Sequence, residues 1–313
     1  MPPASPHVDV TVTSARLAGV ELGGTKAIAV LSDGQNIIDR LTVPTTTPDE
    51  TLTALVEQIA RWDNAGAIAA LGIASFGPVR LAEGAHDYGR ILATPKPGWS
   101  GADVRGAFAG RFAVPIAIDT DVNAAALAEY RWGAGAGCSS LIYITIGTGI
   151  GGGVLVDGRS IKGRLHPELG HVMLRRDPSD GFAGICPFHG DCVEGLLSGP
   201  ALAARLGGPV EHAAIDDPRW GSAARDLAQF IAMLILGFAP DRVLIGGGVG
   251  IGAPHLVARA LADVPAALGG YLPDLDPAAL VTLVASPGLG ADAGPLGAIA
   301  LAGDALSLQT IAP

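Results

Sequence analysis

Cysteine, clustered basic charge and long apolar runs are all scarce in this 313-residue chain, and each scarcity narrows its possible roles. Lysine and arginine number 20 against 30 aspartates and glutamates, a net charge of -10, and they form no stripe. This argues against nucleic acid as a main partner, because binding a phosphate backbone needs clustered cations. A nucleotide held by backbone N–H groups is not excluded. The first fifteen residues carry neither lysine nor arginine and no apolar core, so no secretory signal is visible. The longest apolar run near a helix, residues 231–239, is too short to cross a bilayer, and no membrane partner is expected. Three cysteines, two of them in a metal-like pattern, suit a reducing compartment, so the expected location is the cytoplasm.

Apolar residues, by contrast, make up 49% of the chain, enough for a large core and too many for disorder. The 45 glycines and 23 prolines then mark tight turns. The length is more than one core usually fills, so two domains are expected behind a loose tail at residues 1–16.

Two of the three cysteines and three of the seven histidines fall between His166 and Cys192. Cys186, His189 and Cys192 form a Cys-x2-His-x2-Cys group. Zinc takes four such ligands in a tetrahedron, and the fourth is His166 or His171, which spacing alone does not decide. A disulfide between Cys186 and Cys192 is the competing reading, but it would leave the histidines without a purpose. Glu168 and Glu194 flank this stretch as spare carboxylates.

Along the chain, residues 17–20 and 27–31 read as strands on either side of Gly23-Gly24-Thr25-Lys26. A Walker loop would open a helix and carry the order Lys-Thr, so this is a different kind of turn. Its small residues still allow backbone N–H groups to approach a phosphate. Thr47, Pro48 and Glu50 start a helix whose buried face is Leu52, Leu55, Val56 and Ile59. Residues 67–74 form a buried strand ending at Ser75-Phe76-Gly77-Pro78, a place where ligands sit in α/β sheets. The strand at 114–118 ends in Asp119-Thr120-Asp121-Val122-Asn123, followed by a helix. Two carboxylates there are candidates for acid/base chemistry, with one of them expected to cap the helix. Residues 141–146 lead into Gly147-Thr148-Gly149-Ile150-Gly151-Gly152, which satisfies GxGxxG but continues as a strand, unlike a dinucleotide fold. Two strand–turn–strand loops of one kind point to two related halves gripping one polyphosphate. A third Gly-rich turn, Gly246-Gly247-Gly248, follows the strand at 242–245 and precedes a helix expected near Pro254. The last strand is expected at 281–285, and an apolar helix closes the chain.

Taken in order, these motifs resemble those of a ROK-family sugar kinase from about Val20 to Leu301. They are the Gly-Gly-Thr-Lys turn, Asp121-Val122-Asn123-Ala124-Ala125, Gly147-Thr148-Gly149-Ile150-Gly151, Glu168-Leu169-Gly170-His171, the Cys/His group and Ala291-Asp292-Ala293-Gly294. The resemblance implies the two-domain actin-like, hexokinase-like ATPase fold of the α/β class, with ribonuclease H-like halves closing on ATP and a sugar. The domains would be residues 17–120 and 121–296, with the helix at 297–313 packing back on the first. It implies Asp121 as the general base and Glu168 and Glu194 as holders of sugar hydroxyls, with Gly77, Lys96, Asn123 and His171 as further sugar-site residues. It implies ATP phosphates between Gly23, Gly24, Thr25, Lys26 and Gly147, Thr148, Gly149, with Gly246, Gly247 and Gly248 near the adenosine. It favours His171 over His166 as the partner of Cys186, His189 and Cys192 in a structural zinc site. Mg²⁺ accompanies ATP, with Glu21 positioning it through water, and a homodimer is expected.

The forms Thr94-Pro95-Lys96-Pro97-Gly98-Trp99, Asp119-Thr120-Asp121 and Cys186-Pro187-Phe188-His189-Gly190-Asp191-Cys192 resemble the fructokinase branch. Glu21, Thr120 and Lys96 stand where many members have Asp, Asn and Asn. The implied reaction is phosphorylation of fructose by ATP, with mannose, glucose or an N-acetylated hexose as alternatives. A sugar-responsive repressor would need a helix-turn-helix ahead of the first strand, and an NAD enzyme would need a helix after Gly153.

Overall fold

The computed structural model describes residues 15–311, so nearly all of the expected tail at 1–16 lies outside the described residues. The chain forms two compact units. The first holds the residues up to Ala124 and those from Gly294 onward, and the second is Ala125–Ala293.

In the first unit, β1 (Arg16–Leu22), β2 (Lys26–Asp33) and β3 (Asn36–Pro44) form an antiparallel meander. Helix α1 (Pro48–Ala65) returns the chain to β4 (Ala70–Ser75), which pairs parallel to β1. Helix α2 (Val104–Ala109) precedes β5 (Ile116–Thr120), and the sheet order is β3-β2-β1-β4-β5. All six residues of β4 are buried, which is why its sequence is a continuous apolar run rather than an alternating one. The start of α1 follows from its first residues. Thr47 Oγ1 accepts from Glu50 N at 3.3 Å, Pro48 supplies a preset φ, and the Glu50 carboxylate accepts from the Thr46 hydroxyl at 2.7 Å. Leu52, Leu55, Ile59 and Trp62 are its buried face.

Helix α3 (Asp121–Trp132) leaves the first unit and enters the second. There β6 (Ser140–Ile146), β7 (Ile150–Val156) and the short β8 (Arg159–Ser160) form another antiparallel meander. Helices α4 (Val193–Leu197), α5 (Gly199–Leu206) and α6 (Trp220–Phe238) follow, then β9 (Arg242–Gly246) parallel to β6. Next come α7 (Gly247–Gly252), α8 (Pro254–Ala267), α9 (Pro277–Leu283) and the two-residue β10 (Val284–Ala285). The order β8-β7-β6-β9-β10 repeats the connectivity of the first sheet, strand for strand. The paired strand–turn–strand motifs of the sequence are thus the first hairpins of two equivalent sheets. Helix α6 is long and apolar enough to cross a membrane, but 56% of its apolar window is buried, with Leu227, Phe230, Ile231 and Leu234 in the core of this unit.

Two expectations need correction. Residues 246–250 were expected to be a turn before a helix at Pro254, yet Gly247–Gly252 is already helical and Pro254 begins the next helix. The strand expected at 281–285 is mostly helix α9, because Asp276 caps it by accepting from Ala279 N at 2.8 Å and Pro277 fits its first turn.

Helix α10 (Ala293–Ile311) closes the chain and packs on the first sheet. A Cβ added at Gly72, in the middle of β4, would lie 1.8 Å from Ala298 O and 2.6 Å from Ala302 N. Both obstacles are backbone, so neither can rotate aside. Gly72→Ala is therefore expected to destabilise the fold by about 1–3 kcal/mol or more, lowering the denaturant midpoint. Gly84→Ala, where a Cβ meets nothing within 4 Å, should stay within about 0.5 kcal/mol. Equal midpoints for the two variants would mean that α10 is not seated on β4.

Candidate active site

In the first unit, the C-terminal ends of β1, β4 and β5 present the candidate residues. After β1 the chain turns at 23–25, where Gly23 N donates to Lys26 O at 3.1 Å and Thr45 Oγ1 donates to Gly23 O at 2.8 Å. The N–H groups of Gly24 and Thr25 have no hydrogen-bond partner among the described residues, and a Cβ at Gly24 would meet nothing within 4 Å. This is an open turn with two donors to offer. Lys26, which follows it, is exposed.

Lys96, which the resemblance assigns to the sugar site, has its ammonium on this turn. It donates to Gly24 O at 2.6 Å and to Thr45 O at 3.2 Å. Its loop is pinned by the fully buried Trp99, whose indole N–H donates to Thr46 O at 2.8 Å and whose ring meets Phe76 edge-on at 5.2 Å. Gly77 follows Phe76, whose N–H donates to Leu22 O at 2.7 Å, so the 76–77 segment lies beside the end of β1. Thr45 and Trp99 carry much of this bracing, and no spacing rule marks Thr45. Glu21 lies against the first turn of α10, where a Cβ at Gly294 would sit 2.3 Å from its Oε1. That contact accounts for the glycine of the Ala291-Asp292-Ala293-Gly294 motif. A carboxylate is also favoured at a helix N-terminus.

The β5–α3 junction separates its two aspartates. Neither is the principal cap: Thr120 Oγ1 accepts from Asn123 N at 3.2 Å, so the hydroxyl takes the role expected of a carboxylate. Asp119 is buried and braces the turn, its Oδ1 accepting from Thr120 N and from Asn123 Nδ2, each at 2.7 Å. The Asn123 amide is thus committed to Asp119, while its buried Oδ1 has no hydrogen-bond partner among the described residues. Asp121 opens the helix half-exposed, accepting from Val122 N at 2.9 Å. Of the two, Asp121 is the more exposed.

In the second unit, the β6–β7 turn closes with Gly147 N donating to Gly149 O at 2.9 Å, leaving the N–H groups of Thr148 and Gly149 without a partner among the described residues. Gly199, at the start of α5, donates to Gly147 O at 2.7 Å. Gly247, at φ 82°, comes so close to the end of β6 that a Cβ would lie 2.4 Å from Ile146 O. The 147–149 and 246–248 segments are therefore neighbours. The approach of Gly199 was not expected, and only the Ser-Gly-Pro helix start at 198–200 signals it.

Glu194 leans on the same turn. Its Oε2 accepts from Ile150 N at 2.9 Å, and a Cβ at Gly149 would be 2.7 Å from that oxygen. Gly170 packs on the other side of Ile150, with a Cβ there 2.0 Å from Ile150 O. Glu168 precedes that short turn, Leu169–His171, its backbone oxygen accepting from His171 N at 3.0 Å, and its carboxylate lies 3.4 Å from His166 Nδ1. Burial pushes the Glu168 pKa up, against the pull of His166 and His171.

Four side chains converge beside these glutamates. The ligating atoms of His171, Cys186, His189 and Cys192 all lie within 4.8 Å of one another. His171 Nδ1 is 3.8 Å from Cys186 Sγ and 3.6 Å from Cys192 Sγ, and His189 Nδ1 is 3.7 Å from Cys186 Sγ. A tetrahedral ion with Zn–S of about 2.3 Å and Zn–N of about 2.0–2.1 Å places neighbouring ligands about 3.6 Å apart, which these distances match. The cysteines are free thiols, and His166 stands outside the group with Glu168. Burial, with the Cys186 thiol adding to it, drives Cys192 up to about 11, so this sulfur has no tendency to ionise unless a cation holds it. The residues fit a metal ion. The group also joins the two glutamates: Val193 N donates to Val172 O, and Cys192 bridges Met173.

The sequence profile of the ROK family matches residues 17–305. A fructokinase of Zymomonas mobilis is 41% identical over 90% of this chain and 95% of its own. The crystal structure of a ROK hexokinase from Thermus thermophilus aligns with TM-score 0.75 and 30% identity, over 94% of this chain and 99% of that one. A ROK family glucokinase from Streptomyces griseus, in complex with glucose and AMPPNP, aligns at TM-score 0.71 and 28% identity over 92% of this chain and 99% of that one.

Proposed function

The chain belongs to the ROK family, and from that membership we propose that it transfers a phosphoryl group from ATP to D-fructose, giving ADP and fructose 6-phosphate. The observation that carries the choice of sugar is the 41% identity to a fructokinase over nearly the full length of both chains. A primary hydroxyl is a poor nucleophile at neutral pH and needs a base within hydrogen-bond reach. Asp121 is that base: half-exposed, on a rigid helix start, with its neighbour Asp119 committed to bracing. Phosphoryl transfer otherwise depends on positioning and charge neutralisation. The unpartnered N–H groups of Gly24, Thr25, Thr148 and Gly149 suit phosphate oxygens, with Gly23, Lys26 and Gly147 shaping the two turns. Gly246, Gly247 and Gly248 are assigned to the adenosine side. Mg²⁺ would neutralise phosphate charge, with Glu21 positioning it through water.

Glu168 and Glu194 hold sugar hydroxyls, with Gly77, Asn123 and His171 completing that site. His171 uses Nδ1 toward the cysteines, which leaves Nε2 for a hydroxyl. His171, Cys186, His189 and Cys192 hold a structural zinc ion. Its coordination would fix the turn that carries Glu168 and the helix that carries Glu194. Thiolates suit zinc, whereas Mg²⁺ at the phosphates takes oxygen ligands. We place the enzyme in the cytoplasm, as a homodimer.

An assay of ADP release across fructose, mannose, glucose and N-acetylated hexoses tests the reaction, with the highest kcat/KM expected for fructose. No turnover of any hexose would remove the kinase reading. Higher kcat/KM with glucose or mannose would keep the kinase and discard fructose as its substrate.

A further inference from the structure

Lys96 holds a charge that nothing described around it neutralises. It is half-buried, and its ammonium contacts are two carbonyl oxygens, those of Gly24 and Thr45, with no ion pair among the described residues. An ammonium has three donors, so one N–H remains available. It stands at a turn whose Gly24 and Thr25 N–H groups are also open. Above Gly24 there is free space, since a Cβ would meet nothing within 4 Å. The position of the lysine is imposed: Trp99, fully buried, anchors its loop to Thr46, and Thr45 ties the same segment to Gly23. An unneutralised cation and two free backbone donors on one exposed turn make a receptor for an anion, not for a neutral hydroxyl. A phosphate oxygen brings the opposite charge to this ammonium, whereas a sugar hydroxyl would leave the cation unneutralised.

We infer that Lys96 is a nucleotide-phosphate ligand, the principal cation of the 23–25 turn, rather than a contact to the sugar. This rests on the assignment of that turn to the ATP phosphates. Lys26, exposed and with its side chain anchored by none of these contacts, is then secondary.

Steady-state kinetics and ATP binding of Lys96→Met, Lys96→Arg and Gly24→Val test the assignment. Lys96→Met should raise the apparent KM for ATP by about tenfold or more while KM for fructose moves less than about twofold. Its ATP affinity should also respond less steeply to salt, because one phosphate contact by a cation is gone. Lys96→Arg should recover much of the loss and the salt response. A lysine that only braced the loop would not alter the salt response, so an unchanged response overturns the inference. So does a rise in KM for fructose with KM for ATP untouched, which would return Lys96 to the sugar. If Lys96→Met proves unstable by thermal melting, Lys96→Gln, which removes the charge but keeps a donor, decides: a KM change confined to fructose, or none at all, rejects the inference. Gly24→Val separates the two levels. An unchanged KM for ATP in that variant removes the phosphate assignment of the turn itself. A raised KM there with a silent Lys96→Met removes only the role of the lysine.

Discussion

Asp121→Asn is expected to lower kcat by about 10²–10⁴-fold, the usual worth of a general base, while the fold and ATP binding survive. Asparagine is nearly isosteric with aspartate, and its amide oxygen can still accept from Val122 N, as the carboxylate does at 2.9 Å. What it cannot do is take the proton from the sugar hydroxyl. Thermal melting should therefore barely move. Asp119→Asn is the matched comparison. Asp119 is buried and receives two bonds of 2.7 Å, so replacing it weakens the Thr120 turn and the Asn123 side chain. Its effect should fall mainly on stability, about 1–3 kcal/mol, with a much smaller loss of kcat. A near-normal kcat for Asp121→Asn would show that another group takes the proton, and a larger kcat loss at Asp119 than at Asp121 would exchange their roles.

The division of labour between these two aspartates was only half legible in the sequence. Spacing showed two carboxylates at a strand-to-helix junction, but it could not show that Thr120 caps the helix. Capping depends on which side chain points at the free N–H groups, and that is fixed by the backbone of β5. The core strands were readable because burial on both faces writes itself as an unbroken apolar run, as in β4. The helix at 277–283 was misread because Val281, Thr282 and Val284 are β-branched and strand-like, while its Asp-Pro start, a local signal, decided the outcome. The Gly-rich helix at 247–252 defies propensity altogether. Tertiary context holds it, with Gly247 against the end of β6. Lys96 illustrates the harder limit. Its motif was visible, yet the atoms it meets, Gly24 O and Thr45 O, lie 72 and 51 residues earlier. Periodicity reports which face a residue occupies, not which distant carbonyl its tip reaches. The fourth ligand of the Cys/His group was similarly open from spacing, and the distances join His171 to it while His166 pairs with Glu168.

Protein purified without added metal is expected to carry about one zinc per chain, and its removal should cost both stability and activity. The physical ground is the condition of the four side chains. Two buried thiols, the half-buried His171 and the exposed His189 have ligating atoms that all lie within 4.8 Å of one another, a crowding that an ion at their centre would account for. Burial holds the Cys192 thiol near 11, so it stays protonated at pH 7 until a cation displaces the proton. Zinc binding should therefore weaken as pH falls and the ligands retain their protons. The 172–173 segment, bonded to Val193 and Cys192, joins the turn that carries Glu168 to the helix that carries Glu194. Loss of the ion should then loosen both glutamates together. Cys192→Ala is expected to abolish stoichiometric zinc, lower the melting temperature and raise KM for fructose more than KM for ATP. His171→Ala should do the same, whereas His166→Asn should keep the zinc, since His166 stands apart from the group. Metal analysis and thermal melting read these outcomes independently of catalysis. A metal-free preparation with unchanged melting and full activity would overturn the zinc site, and zinc lost from His166→Asn but retained in His171→Ala would overturn the choice of histidine.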